Sequence, residues 1–143
     1  MTKKVIVLGA DNGYQDKVET TIKSICAHNR NLKFYVFNDD ISSEWFQLMS
    51  KRLELLSSEI VNVKITNHSL RDYNLPLSHL SYAAFFRYFI PQFVKEDKAL
   101  YLDSDIIVRS NIDELFLEDI TDYPLAAVAD ALFPSSCNSG LTE

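Results

Sequence analysis

Asp103, Ser104 and Asp105 lie in the stretch ALYLDSDIIV, where an apolar run is interrupted by two carboxylates one residue apart. No other acid-x-acid spacing occurs in the chain. In an extended segment residues i and i+2 point the same way, so both carboxylates would face one side. Like charges held that close are costly unless a cation offsets them. Oxygen-only donors suit a hard divalent ion, Mg2+ or Mn2+. Two carboxylates do not fill six positions, which leaves the others to water and a phosphate-bearing ligand. A solvated turn at a strand end is the plainer alternative, and these residues alone leave both open.

Arg87 is the second candidate. Between Leu80 and Phe93 it is the one charged residue, set among aromatic and aliphatic neighbours in SYAAFFRYFIP. A guanidinium in such surroundings needs an anionic partner. That partner is Asp103 or another core acid, or a phosphate held beside the acid pair, and the two are compatible. Ala10, Asp11, Asn12, Gly13 and Tyr14 form a third group. Asp11 could accept from a base N–H or a ribose hydroxyl, and Tyr14 could stack on a planar base. An ordinary turn and helix cap would use the same residues. No phosphate loop is present, because the G-x-G-x-x-G and Walker spacings are both missing. Asp130, Asn138 and Ser139, with Gly140, offer groups that would bond sugar hydroxyls or simply build a turn. His28, His68 and His79 have no metal-ligand spacing. The stripe of Tyr82, Phe85, Phe86 and Phe89 reads as core rather than as a binding box.

These groups need elements to carry them. Residues 4–9, KVIVLG, are β-branched and apolar and predict a strand buried on both faces. Residues 15–28 place Val18, Ile22, Ile25 and Cys26 at helical spacing. Residues 32–37 predict a second strand. Residues 43–56 predict a helix with Trp45, Phe46, Met49, Leu53 and Leu56 on one stripe, capped by Ser42 or Ser43. Residues 60–65 predict a third strand. Beyond a loop at 66–77, a helix is expected from about residue 79, capped by Ser78, to residue 90, ended by Pro91. A fourth strand is expected at 98–102, extended chain at 106–108, a helical turn at 111–116 and a last buried strand at 125–129. The order strand, helix, strand, helix, strand is that of a parallel, doubly wound α/β sheet. Such sheets bind ligands outside the carboxyl ends of their strands, which is where Ala10–Tyr14 and the acid pair fall.

The chain has 143 residues, 47% hydrophobic and 24% charged, with nine Phe, seven Tyr and one Trp. That is the profile of one globular domain spanning residues 1–143. A net charge of −6 and no basic stripe argue against nucleic acid as a partner. Cys26 and Cys137 are far apart, fit no zinc motif, and are expected to stay thiols. No run approaches a membrane span or a signal peptide, and the cytoplasm is the expected compartment. The chain stops at CNSGLTE as another element opens, so a C-terminally truncated domain is expected.

VLGADNGY, SHLSYAAFFRYFIP, ALYLDSDIIV, AAVAD and CNSG, in that order, resemble glycosyltransferase family 8. This is the family of bacterial lipopolysaccharide galactosyl- and glucosyltransferases and of glycogenin. The resemblance runs from residue 5 to about 141. It implies a GT-A fold, an α/β nucleotide-sugar-binding sheet related to the Rossmann type. It also implies retaining hexosyl transfer from a UDP-sugar, with Mn2+ or, in its place, Mg2+, to a glycan or glycoconjugate acceptor. On that pattern Asp103 and Asp105 bind the metal, and Ala10, Asp11, Tyr14, Asp103 and Ser104 match the nucleotide-binding positions. Arg87, Asp130, Asn138 and Ser139 match positions around the donor sugar. The family often has Asp-x-Asn-Tyr where this chain has Asp11-Asn12-Gly13-Tyr14, which displaces Asn12. The family's further metal-ligand His, phosphate-binding Lys and Asp-Gln pair would fall beyond residue 143. So would catalytic residues and any peripheral contact with a membrane. Two competing readings are a non-catalytic UDP-binding fragment and a haloacid-dehalogenase-like phosphatase. The latter also follows a strand with Asp-x-Asp, but on the strand that opens its domain.

Overall fold

The structure is a computed structural model that describes residues 2–66 and 82–129. Four parallel strands form one sheet in the order β3-β2-β1-β4. They are β1 (Lys4–Gly9), β2 (Leu32–Asn38), β3 (Glu59–Lys64) and β4 (Leu100–Tyr101). Helix α1 (Gln15–His28) joins β1 to β2, and α2 (Ser43–Glu54) joins β2 to β3. The register runs from Lys4 opposite Leu32 to Gly9 opposite Phe37, and from Lys33 opposite Glu59 to Asn38 opposite Lys64.

Alternation along the strands builds two cores. Ile6 and Leu8 of β1 and Phe34 and Val36 of β2 pack on Val18, Ile22 and Ile25 of α1 and on Trp45, Phe46, Met49 and Leu53 of α2. Val5 and Val7, with Tyr35 and Phe37, turn to the opposite face and meet Phe85, Phe86 and Phe89. Because β1 and β2 are buried on both faces, their central residues, VIVL and FYVF, are continuous apolar runs. Ser42 caps α2 by accepting from the Trp45 amide at 3.3 Å. Asn31 takes a positive φ of 60° at the turn into β2, a conformation asparagine tolerates well.

Four expectations are corrected. The segment before Pro91 is a 3-10 helix, Tyr82–Phe89, and a short α-helix, Ile90–Phe93, follows it. Pro91 therefore opens a helix instead of ending one, since a first-turn proline gives up an amide that has no partner there anyway. β4 has two residues rather than five, pairing Leu100 with Ile6 and Tyr101 with Val7. One further bond, from the Leu102 amide to the Val7 carbonyl at 3.1 Å, extends the contact before the chain turns at Ser104 and Asp105. Residues 106–108 do not continue in the sheet. Residues 125–129 form no strand and are exposed, Val128 almost completely. An apolar run becomes a strand only beside an edge that can template it, and β4 offers two residues of edge. The helical turn near 111–116 is present as a short helix, Asp113–Leu117. No helix among the described residues is long and apolar enough to cross a membrane.

Candidate functional site

The chain leaves β1 toward β2 on one side and returns as β4 on the other, so the sheet has its switch point at the carboxyl ends of β1 and β4. Crevices of α/β sheets open there. Ala10 and Asp11 follow β1, and Leu102 and Asp103 follow β4, side by side.

On the β1 side Ala10 is buried, with its amide bonded to the Phe37 carbonyl at 2.9 Å. Asp11 accepts from the Tyr14 amide at 3.1 Å and caps the 3-10 turn Asn12–Tyr14 that leads into α1. The turn-and-cap alternative is thus realised, and it fixes where the Asp11 carboxylate stands. A Cβ at Gly13 would come within 3.2 Å of Asp11 Oδ1, so glycine suits this turn by its size. The Asn12 amide bonds Asp40 at 2.6 Å, which ties the turn to the end of β2. Tyr14 is 41% exposed, and the Lys17 ammonium sits 4.1 Å from the centre of its ring.

On the β4 side Asp103 and Asp105 are exposed while Ser104 between them is buried. Asp103 precedes a turn at Ser104 and Asp105 rather than lying in an extended strand with Asp105, so the alternation that would put both on one face does not apply. The Ser104 hydroxyl donates to the Gly9 carbonyl, directly bridging the ends of β4 and β1. Its side chain is therefore turned inward, and a ligand would meet its main chain. Thr21 of α1 is completely buried and places its hydroxyl 2.9 Å from the Ser104 carbonyl and 2.8 Å from that of Ile106. An open cleft of about 400 Å3 runs between Asp105 and Ile107 on one wall and Asp16, Lys17 and Thr20 on the other.

Arg87 is exposed, which removes the alternative of an ion pair buried in the core and leaves that of a group beside the acid pair. In the 3-10 helix Phe85, Phe86 and Phe89 take the inner side, which leaves Arg87 and Tyr88 outward. The guanidinium lies 5.4 Å from the centre of the Tyr101 ring, a cation–π contact. Burial pushes the Tyr101 phenol above its usual pKa, with Arg87 opposing the shift and Asp103 adding to it. Arg87, Tyr101 and Asp103 thus share one neighbourhood beside the switch point. Asp130, Asn138 and Ser139 lie outside the described residues, as do Ser78, His68, His79 and Cys137. Cys26 is buried as a free thiol.

The sequence did not single out Thr21, Ser24 or Tyr101. The signal for Thr21 is a polar residue inside the apolar face of α1, between Val18 and Ile22. The signal for Tyr101 is a phenol inside the strand that delivers the acid pair.

Residues 5–140 match the model of glycosyl transferase family 8. The chain is 61% identical to glycosyltransferase GlyB of Streptococcus pneumoniae serotype 4, over 99% of this chain and 36% of GlyB. It is 32% identical to the lipopolysaccharide 1,2-glucosyltransferase of Escherichia coli K12, over 87% of this chain and 38% of that protein. The crystal structure of the galactosyltransferase LgtC in complex with donor and acceptor sugar analogues superposes with a TM-score of 0.77 at 25% identity, over 90% of this chain and 47% of LgtC. The chain spans about a third of the length of these curated relatives, 36% and 38%. The parallel sheet with flanking helices is the GT-A fold expected from the resemblance.

Proposed function

The chain belongs to glycosyl transferase family 8, and from that premise we propose that it forms the nucleotide-sugar-binding part of a retaining hexosyltransferase. The donor is a UDP-sugar carrying glucose or galactose, and the acceptor is a glycan or glycoconjugate. Relatives named as glucosyl- and galactosyltransferases support that donor class. Membership of the family sets aside the phosphatase reading. The observation that carries the proposal is the Asp103-Ser104-Asp105 turn, bonded through Ser104 to the end of β1 at the switch point of the sheet.

Tyr14 stacks on the uracil ring and Asp11 accepts from the nucleoside. Ala10, small and buried, lets the nucleoside approach the sheet end. Asp103 and the Ser104 main chain meet the ribose and the diphosphate. Arg87 bonds the donor phosphate or sugar from across Tyr101, and Asp130, Asn138 and Ser139 bond sugar hydroxyls. The bond from the anomeric carbon to the diphosphate oxygen breaks, UDP leaves, and the acceptor hydroxyl bonds the oxocarbenium-like carbon, directly or after a covalent intermediate, with retention of configuration and its proton passing to the departing diphosphate.

A divalent cation, Mn2+ or Mg2+, fits the acid pair. Both carboxylates are exposed, both are hard oxygen donors, and the turn that carries them is bonded from behind. Among the described residues no group of three or more His, Cys, Asp or Glu converges to hold a metal. The diphosphate, water and residues outside the described ones would complete the shell. When bound, the ion offsets the negative charge that develops on the departing diphosphate. On this reading the reaction runs in the cytoplasm or at the inner face of the membrane.

The test is Asp105→Asn in the intact protein. Mn2+-dependent turnover of UDP-glucose or UDP-galactose falls about 100-fold or more, the scale on which removal of one charge-stabilising group acts. Unchanged turnover overturns the assignment.

A further inference from the structure

We propose that Thr21 is a positioning residue for the acid-pair turn, fixing the Ser104–Ile106 backbone and through it the direction of the Asp105 carboxylate. The inference rests on the metal-binding role proposed for that carboxylate.

A threonine inside a helix commonly turns its hydroxyl back onto the carbonyl four residues earlier. Thr20 does so, donating to the Asp16 carbonyl at 2.8 Å. Its neighbour Thr21 instead directs its hydroxyl out of the helix, to the two carbonyls on either side of Asp105. One hydroxyl proton is shared between them; Thr21 is itself buried, and with Ile106 it borders the cleft beside Asp105. Buried carbonyls need partners, and once the chain has left β4 no strand supplies them.

Thr21 heads a row along the same helix. Ser24 accepts from the Val108 amide at 2.9 Å. Asn29, just past the helix end, accepts from the Ile112 amide at 2.9 Å and donates to the Ser110 carbonyl at 3.3 Å. The row takes over, in order, the backbone bonds of residues 104–112. Only its first member grips the peptide units around an acid of the pair. From the other side the Ser104 hydroxyl holds the same turn to Gly9. Asp105 is thus an exposed side chain on a backbone clamped between α1 and β1. A metal ligand must keep its geometry within about 0.5 Å and 10–20°. Clamping the backbone of an otherwise exposed turn supplies that constraint.

The test uses the intact protein with three variants, Thr21→Val, Thr21→Ser and Ser24→Ala, and Asp105→Asn as the reference. Mn2+ affinity in the presence of UDP is read by the EPR signal of free Mn2+, and folding by circular dichroism. Thr21→Val keeps the shape and removes the hydroxyl. It should weaken Mn2+ binding about 10–100-fold, the usual range for a group that orients a metal ligand. Thr21→Ser should stay within about threefold of wild type. Ser24→Ala removes a comparable bond from the same row and should leave Mn2+ affinity within about twofold. If Thr21→Val does not fold, Thr21→Ala takes its place. Wild-type affinity in Thr21→Val, with loss in Asp105→Asn, overturns this inference alone. Equal losses in Ser24→Ala and Thr21→Val also overturn it, since general loosening then accounts for both. Wild-type affinity in Asp105→Asn overturns the metal assignment and this inference with it.

Discussion

Asn29 closes α1 and carries the far end of the segment that follows the acid pair, so its removal should be felt well beyond one bond. The residue is 2% exposed. It donates to the Ile25 carbonyl at 2.9 Å and the Ser110 carbonyl at 3.3 Å, and accepts from the Ile112 amide at 2.9 Å. Ile25 is among the last four residues of α1, whose carbonyls have no partner within the helix. Ser110 is exposed, and water replaces the lost bond there. Ile25 and Ile112 are buried, and each unpaired group costs about 1–3 kcal/mol. Asn29→Ala should therefore lose about 2–6 kcal/mol, a large part of a typical domain's stability. Urea unfolding followed by the fluorescence of Trp45, the one tryptophan, measures it. Asn111→Ala is the comparator: Asn111 also accepts an amide, that of Asp113 at 2.8 Å, but it is exposed. Its cost should stay below about 1 kcal/mol. Asn29→Asp keeps the acceptor for Ile112 and sets a second carboxylate oxygen against two carbonyls. That raises its folded pKa above the unfolded value of about 3.9. Its deficit against wild type at the same pH is then smallest below about pH 4 and grows as pH rises through the folded pKa. A cost for Asn29→Ala within 0.5 kcal/mol of that for Asn111→Ala, or a pH-independent deficit for Asn29→Asp, refutes this account (about 0.5 kcal/mol being the usual surface effect).

Glu19 ties α1 to α2, with Lys23 at 2.7 Å, Arg52 at 2.9 Å and the Trp45 indole N–H at 3.2 Å. The bond with Lys23, foremost, holds its carboxyl below the usual value of 4.5 against the opposing effect of burial. A lowered folded pKa gives stability that is present above pH 4.5 and lost as pH falls through the folded pKa. The difference in unfolding midpoint between wild type and Glu19→Gln should accordingly shrink from pH 7 to pH 3, and a constant difference contradicts the assignment. Cys26 is buried, and burial pushes its thiol up to about 11, with Arg30 opposing. Iodoacetamide should modify it at least 100-fold more slowly in the native protein at pH 8 than in urea, by mass spectrometry of its peptide, because the thiolate is the reactive form. Native labelling at the rate of a free thiol excludes this environment.

The elements most legible in the sequence are those whose side-chain period has a single solution. The central runs of β1 and β2 are apolar on both faces, and the stripes of α1 and α2 keep the 3.6-residue period, so β1 and α1 fall where expected, β2 runs one residue further and α2 stops two residues early, at Glu54. The crossover from β3 to β4 is less legible. In SYAAFFRYFIP the apolar positions fit a 3-10 turn as well as an α-helical one, and that choice decides whether Arg87 faces inward or outward. The short β4 is hidden for another reason: the apolar residues after Asp105 pack partly on α1 and its neighbours, as Val108 does, instead of pairing in the sheet. Spacing brought Asp103 and Asp105 to notice, but the groups that hold them come from β1 and from α1, 95 and 83 residues away along the chain. Thr21 shows in the sequence only as a polar residue within the apolar face of α1; its partner is a backbone it meets only in the folded state.

The charge along the carboxyl edge of the sheet bears on how the site is used. Asp11 follows β1, Asp39 and Asp40 follow β2, and Asp103 and Asp105 follow β4, all parallel and all ending at one edge. These acids sense one another: Asp39 is pushed above its usual pKa first by loss of water and then by Asp40 and Asp11. Each exposed pair at 4 Å costs only about 1 kcal/mol in water, screened within about 8 Å at physiological salt. Their summed field nonetheless disfavours a diphosphate arriving by itself. The partial positive charge at the start of α1 offsets a fraction of this, and Asp16 in its first turn takes some of that back. On the proposed reading a divalent cation reverses the balance, because every acid that repels the nucleotide attracts the ion. Anion and cation then bind as a pair, and the repulsion between Asp103 and Asp105 becomes the source of the ion's affinity. An edge shaped for a phosphate without its metal would place lysine and arginine where this one places aspartate.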